Sequence, residues 1–326
     1  MPLFDLPESQ LEHHRTATLE PDGLDGWWAE RLAQTRELAW PTRTTRHRPD
    51  AYGPTPVWDV EFAGAHGDPA RGWYIRPAGS EDTRVPIVVT FVGYGGGRGV
   101  PANHLAIPSA GFAHLVMDTR GQGGNWTIGA TGDRTRGVDG PEYPGFMTRG
   151  IADPEHYYYT RLMLDAARAV EVAAELPGVD ADRIAVSGAS QGGGLALAAA
   201  ALSTTRVKVC HADVPFLCDF QRAITLSPTA PYIEIAHFLA QHVDAVATAL
   251  NTLRYVDCAL LARRITADCL LSVGLMDTVC PPSTVFAAYN EIPSTKQIAV
   301  YPFGVHAVAH VHAERALQHL QDVLAR

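Results

Sequence analysis

Short apolar runs rich in β-branched residues recur along this chain, each followed by a glycine-containing loop and then by a longer stretch with helical spacing. The runs are PIVVTFV at 86–92, HLVMD at 114–118, RIAVS at 183–187, VKVCHADV at 207–214, CLLSVG at 269–274 and QIAVY at 297–301. They are apolar continuously rather than alternately, which predicts strands covered on both faces. Helical patterns are expected at about 157–176, 191–202, 283–290 and 313–324. The alternation predicts an α/β fold, a mostly parallel central sheet with helices on both faces and chemistry at the C-terminal ends of the strands. With no internal repeat or low-complexity linker, residues 1–326 read as one domain, with an N-terminal extension to about residue 50 and a variable pocket-covering region at about 219–264.

Composition narrows the partners. The formal charge of −9, from 35 acidic and 26 basic residues, argues against a phosphate-binding surface, so nucleic acid is not expected. The longest apolar run, around Leu195–Leu202, is far short of the roughly 20 residues that span a membrane. The start, MPLFDLPESQLEHHRT, has no basic segment followed by an apolar one, and the expectation is a soluble, cytoplasmic protein. Five cysteines without a C-x-x-C pair suit reduced, buried thiols better than disulfides or zinc ligands.

The stretch VSGASQGGG, 186–194, carries the candidate chemistry. Strand RIAVS runs straight into Gly188-Ala189-Ser190-Gln191-Gly192, and the helical pattern starts at once. This is the G-x-S-x-G elbow, in which Gly188 and Gly192 leave room for a turn so tight that the Ser190 hydroxyl stands exposed above the sheet. The bland alternative is a glycine-rich packing turn with an incidental serine. A serine nucleophile needs a histidine base and a carboxylate to orient it, in the chain order Ser, acid, His for this fold. Asp277 follows strand CLLSVG and His306 follows strand QIAVY, which puts both at the sheet edge that carries Ser190. Asp277 could instead cap the next helix; His310 and His312 rival His306 but lie nearer the terminal helix. Ligand spacing does not support a metal site on the three histidines, and the mechanism needs no cofactor. GYGGGRG at 93–99 contains neither G-x-G-x-x-G nor G-K-[ST]. In a hydrolase of this fold the loop supplies an oxyanion donor, here the Tyr94 backbone N–H, beside that of Gln191.

MPLFDLP, GYGGGRG, MDTRGQGG, YPGFMTRGI, YYYTR, SQGGG, DVPFLC and VGLMDTVCPPSTVFAAYN together resemble the acetyl xylan esterase and cephalosporin C deacetylase family, carbohydrate esterase family 7 of the α/β-hydrolases. The resemblance covers nearly the whole chain. It implies Ser190, Asp277 and His306 as the triad, Tyr94 and Gln191 as backbone oxyanion donors, and a structural place near the site for Arg120 and Gln122 of the Arg-Gly-Gln motif. It further implies an esterase acting on small acetyl esters, such as acetylated xylo-oligosaccharides or cephalosporin C, assembled as a hexamer. The chain departs from the family at Ala307, where Glu usually follows the histidine, at Val92 before Gly93-Tyr94, and at Asp219, where a histidine is common. These departures leave a natural-product tailoring esterase or acyltransferase as the alternative on the same fold; a non-catalytic scaffold conflicts with the intact Ser190, Asp277 and His306.

Overall fold

The continuous apolar runs become strands, and neighbouring elements take their side chains out of water on both faces except in QIAVY, which ends the sheet and buries only Ala299. The computed structural model describes residues 4–137 and 139–325, so the first three residues of MPLFDLP lie outside the described residues. Its strands are β1 (Arg43–Arg46), β2 (Val57–Ala63), β3 (Pro69–Ile75), β4 (Val85–Phe91), β5 (Ala113–Met117), β6 (Val179–Ala189), β7 (Val209–Asp213), β8 (Asp268–Gly274) and β9 (Lys296–Tyr301). They form one sheet in the order β1-β2-β3-β5-β4-β6-β7-β8-β9. All six expected runs are present and pair in parallel from β5 through β9.

The sheet also contains β1, β2 and β3, which the apolar pattern does not announce. They pair antiparallel with one another and with β5. All four residues of β1, Arg-Thr-Thr-Arg, are exposed, and β2 is only partly buried along its length. An antiparallel edge needs one covered face at most, so its sequence carries half the signal of a central strand.

One face of the sheet is covered by helices Tyr158–Glu175 and Gln191–Leu202, whose buried side chains join those of β4, β6 and β8 in the main core. On the other face, helix His310–Leu324 seats Leu320 and Leu324 on Val88, Ala185 and Val209. A fully buried aliphatic side chain contributes about 1.5–3 kcal/mol, so these two leucines help hold the helix on the sheet.

The chain leaves β4 in one direction to β5 and continues on the other side with β6. The loops after β4 and β6 thus open side by side at the C-terminal edge, with Phe91 paired to Gly188. Such a switch point is where α/β sheets form a crevice. Residues 219–264 add helices Phe220–Leu226, Tyr232–Gln241 and Val246–Tyr255 above this edge. Residues 4–16 strap helix Phe220–Leu226 to the helix that follows β8, Pro282–Glu291. The Asp5 carboxylate accepts from the Ser283 backbone N–H at 2.7 Å and from Arg222 at 2.8 Å, while the Asn290 amide donates to the carbonyls of Leu11 and His14.

Candidate active site

Ser190 sits between β6 and helix Gln191–Leu202 with φ 58° and ψ −120°, a conformation that non-glycine residues rarely adopt. Strain of this kind costs about 1–3 kcal/mol and persists only when the surroundings fix it. Here the Ser190 N–H donates to the Asp213 carbonyl at 2.9 Å, and the Ser190 carbonyl accepts from Phe216 at 2.9 Å and Gly194 at 3.0 Å. The flanking glycines are sterically required. A Cβ on Gly188 would lie 2.3 Å from the Gly192 backbone, and one on Gly192 would lie 2.2 Å from the Phe91 carbonyl oxygen.

The three loops at this edge converge. His306 Nε2 is 2.9 Å from Ser190 Oγ, and His306 Nδ1 is 2.8 Å from Asp277 Oδ2. Asp277 is fully buried, and its other oxygen accepts the Val279 and Cys280 backbone N–H groups at 2.8 and 2.9 Å. The following helix, Pro282–Glu291, begins after Pro281, so Asp277 is not its cap. The aspartate is instead locked through one oxygen and presents the other to the imidazole. The His306 loop is tied to β8, since Met276 donates to the Gly304 carbonyl at 2.9 Å. His312 is buried against Tyr301 and Asp213 inside helix His310–Leu324, the helix that also begins with His310. Neither rival takes the place of His306.

Tyr94 and Gln191 lie on the two loops that face Ser190. Gln191 opens its helix, so its N–H has no carbonyl of that helix to bind and is available above the sheet. A buried amide network fixes both loops. Gln122 Oε1 accepts from the Gly95 N–H at 2.6 Å, and Gln122 Nε2 donates to Gln191 Oε1 at 2.8 Å and to the Tyr158 hydroxyl at 2.9 Å. Gln191 Nε2 reaches the Val92 carbonyl, and the Tyr159 hydroxyl donates to Gln191 Oε1 at 3.0 Å. Replacing Gln122 with leucine leaves the Gly95 N–H unpaired and takes one of two donors from Gln191 Oε1, which keeps the Tyr159 hydroxyl. The expected outcome is a loss of about 1–3 kcal/mol in a denaturant titration, with kcat reduced through the displaced Tyr94 peptide.

Arg120 is fully buried and lies deeper than the site. Its guanidinium bonds both Asp165 oxygens at 2.8 and 2.9 Å, Asp68 at 2.8 Å and Asp133 at 3.1 Å. Burial works against its charge, but Asp165, Asp133 and Asp68 outweigh it and hold its pKa above the ordinary value. The structure therefore gives Arg120 the role of tying the loops at Asp68 and Asp133 to helix Tyr158–Glu175 rather than contact with Ser190. Asp219 lies beneath the strap, where it accepts the Thr16 hydroxyl at 2.8 Å. Ala307 is exposed directly beside His306. All five cysteines are buried free thiols, and burial pushes Cys218 and Cys280 up, keeping them protonated.

The cleft over Ser190 encloses about 550 Å³ and is bounded by Tyr94, Trp126, Tyr143, Pro231 and Glu234. Sequence reasoning did not find Trp126, Tyr143 or Glu234, because each lies in a loop or cap helix whose facing is set by tertiary packing. The Tyr94 hydroxyl donates to Glu234 at 2.8 Å and accepts from the Phe146 N–H at 2.9 Å, joining the cap helix to the glycine loop. Burial raises the Glu234 carboxyl. Burial and the neighbouring Glu234 raise Tyr94, so the phenol keeps its proton.

A family model described as acetyl xylan esterase (AXE1) matches residues 1–323. The acetyl esterase Axe7A of Xylanibacter ruminicola is 27% identical over 298 residues; the match covers 89% of this chain, which spans 64% of the length of that relative. The solved acetyl xylan esterase from Paenibacillus sp. R4 is 34% identical with a TM-score of 0.87, covering 98% of this chain and 100% of the other. Acetyl xylan esterase 1 from Thermoanaerobacterium sp. JW/SL YS485 is 33% identical, also at TM-score 0.87, covering 98% and 99%.

Proposed function

The chain belongs to the acetyl xylan esterase family, and from that premise we propose that it removes acetyl groups from small O-acetylated substrates through an acyl-enzyme on Ser190. Acetylated xylo-oligosaccharides and cephalosporin C type esters are the proposed substrates. The observation that carries the reading is the unbroken Asp277–His306–Ser190 chain, with contacts of 2.8 and 2.9 Å, opening into a cleft.

In the proposed reaction His306 Nε2 takes the Ser190 proton as Oγ attacks the acetyl carbonyl carbon. The carbonyl oxygen becomes an oxyanion, held by the Tyr94 and Gln191 backbone N–H groups. Collapse breaks the ester bond, and His306 returns the proton to the departing alcohol. Water then attacks the acyl-enzyme with the same assistance, releasing acetate and restoring Ser190. Asp277 keeps Nδ1 protonated and stabilises the imidazolium that forms. Acting as one unit, the three residues contribute up to about 10⁶-fold, and each oxyanion donor about 10²- to 10³-fold.

The test is acetate release from acetylated xylo-oligosaccharides and from cephalosporin C, with a long-acyl ester alongside and Ser190→Ala as control. Turnover of both acetyl substrates, weak turnover of the long-acyl ester and loss of all three in the variant are expected. If the acetyl substrates remain intact while Ser190 still reacts with a phosphonate, the acetyl assignment is wrong and the nucleophile assignment stands.

A further inference from the structure

Two clefts reach Ser190 and His306 from different sides. The first, of about 550 Å³, runs beneath Tyr143 and the cap residues Pro231 and Glu234. The second, of about 440 Å³, crosses the strand ends past Val92, Val214, Ala307 and Val308. Four residues are common to both: Gly93, Trp126, Ser190 and His306. Gly93 has no side chain, and Ser190 and His306 perform the proposed chemistry. Trp126 is thus the one shared residue whose side chain is free to act as a wall.

The indole is held in place although 57% of the residue is exposed. Its Nε1–H donates to the Tyr94 carbonyl at 2.8 Å. Its benzo edge rests on the glycine loop, where a Cβ on Gly96 would lie 2.4 Å from Cζ2. The absent side chain at Gly96 is therefore the seat of the Trp126 ring, a role for GYGGGRG that the oxyanion function does not require. Large exposed apolar surfaces in a cleft mark ligand contact, and a rigid aromatic ring fixes the dimensions of what fits beside it.

We infer that Trp126 is the specificity-determining partition between two subsites at Ser190, confining the ester to one with a compact group on one side of its carbonyl. The second cleft, with Val92, Val214, Ala307 and Val308 along it, is the apolar subsite for a longer alkyl group once the partition is gone. This inference rests on the esterase reading above.

Trp126→Ala and Trp126→Phe separate the ring from its hydrogen bond, since phenylalanine keeps an aromatic wall over Gly96 and lacks the N–H. The measurement is kcat/KM for the p-nitrophenyl acetate, butyrate and hexanoate series, with near-UV circular dichroism confirming the fold of each variant. Because each methylene admitted or refused by an apolar pocket changes kcat/KM about 10- to 200-fold, Trp126→Ala should raise the hexanoate-to-acetate ratio at least about tenfold. Trp126→Phe should hold that ratio within about threefold of the unsubstituted protein while lowering kcat through the freed Tyr94 peptide. An unchanged ratio in folded Trp126→Ala overturns the partition, as does an equal rise in Trp126→Phe. Labelling of Ser190 by p-nitrophenyl methyl- and hexylphosphonates, followed by mass spectrometry, reads the same ratio without acetyl turnover. If acetyl esters are not cleaved, the proposed function fails alone, and the hexyl-to-methyl labelling ratio still supports or overturns the partition.

Discussion

His306→Ala is expected to lower kcat for acetate release by about 10⁴- to 10⁶-fold, with KM changed little. The variant removes only the proposed base, while the cleft between Tyr94 and Pro231 keeps its walls. Its effect therefore falls on the transition state rather than on substrate binding. Asp277→Asn is expected to lose about 10⁴-fold, because an amide at this position no longer selects the imidazole tautomer that leaves Nε2 free to accept the Ser190 proton. The asparagine oxygen can still accept the Val279 and Cys280 N–H groups, so the loop is retained and the loss is chemical. Combining the two should cost scarcely more than His306→Ala alone, since the residues act as one unit. Steady-state kinetics of the two single variants and the double variant decide this. A His306→Ala enzyme with more than about a hundredth of the parent kcat would remove the residue from the base role.

Arg120→Met should be the most destabilising change in the molecule outside the apolar core. The substitution nearly preserves volume but takes the guanidinium away from Asp165, Asp133 and Asp68, while Arg161 stays on Asp133 and the Ala65 N–H stays on Asp165. Removing one partner of a buried charge cluster costs about 3–5 kcal/mol, and the denaturation midpoint should fall accordingly. Arg120→Lys should recover only part of this, since an ammonium cannot reproduce the forked contact to both Asp165 oxygens while also reaching Asp133 and Asp68. Because Gln122 is two residues away and anchors the Gly95 and Gln191 loops, the folded fraction of Arg120→Met should also show reduced kcat. Chemical denaturation followed by tryptophan fluorescence measures the first effect, and active-site titration with a phosphonate separates it from the second.

The central strands, and the meeting of Ser190, Asp277 and His306 at one sheet edge, were legible in the sequence for the same reason. A central parallel strand covered on both faces reads as an apolar run, and Ser190, Asp277 and His306 lie within about five residues of the ends of β6, β8 and β9, so each follows a run that announces itself. Helix 191–202 begins and ends where its pattern does, because the elbow defines its start. Other features depend on partners distant in sequence. β1 carries no apolar pattern because it is an edge, and Trp28 enters the core from helix Leu24–Glu37, whose apolar residues do not form a clear stripe. Trp126 is invisible to periodicity, since its position is fixed by a missing side chain at Gly96 and a carbonyl at Tyr94. The Arg-Gly-Gln motif could be located from resemblance, but the division of labour, with Arg120 holding carboxylates and Gln122 holding the Gly95 and Gln191 loops, follows only from the distances.

The strap has a consequence for how the protein is made. Asp5 is bonded to Ser283, 278 residues later in the chain. At a synthesis rate of about 5–20 residues per second, the strap waits roughly 15 to 55 s on the ribosome before its dock exists. Ser190 and His306 are likewise separated by 116 positions. A nascent chain therefore carries the Ser190 turn well before it carries His306, and the two can meet only with the last strand, by which point the dock of the strap has already been made.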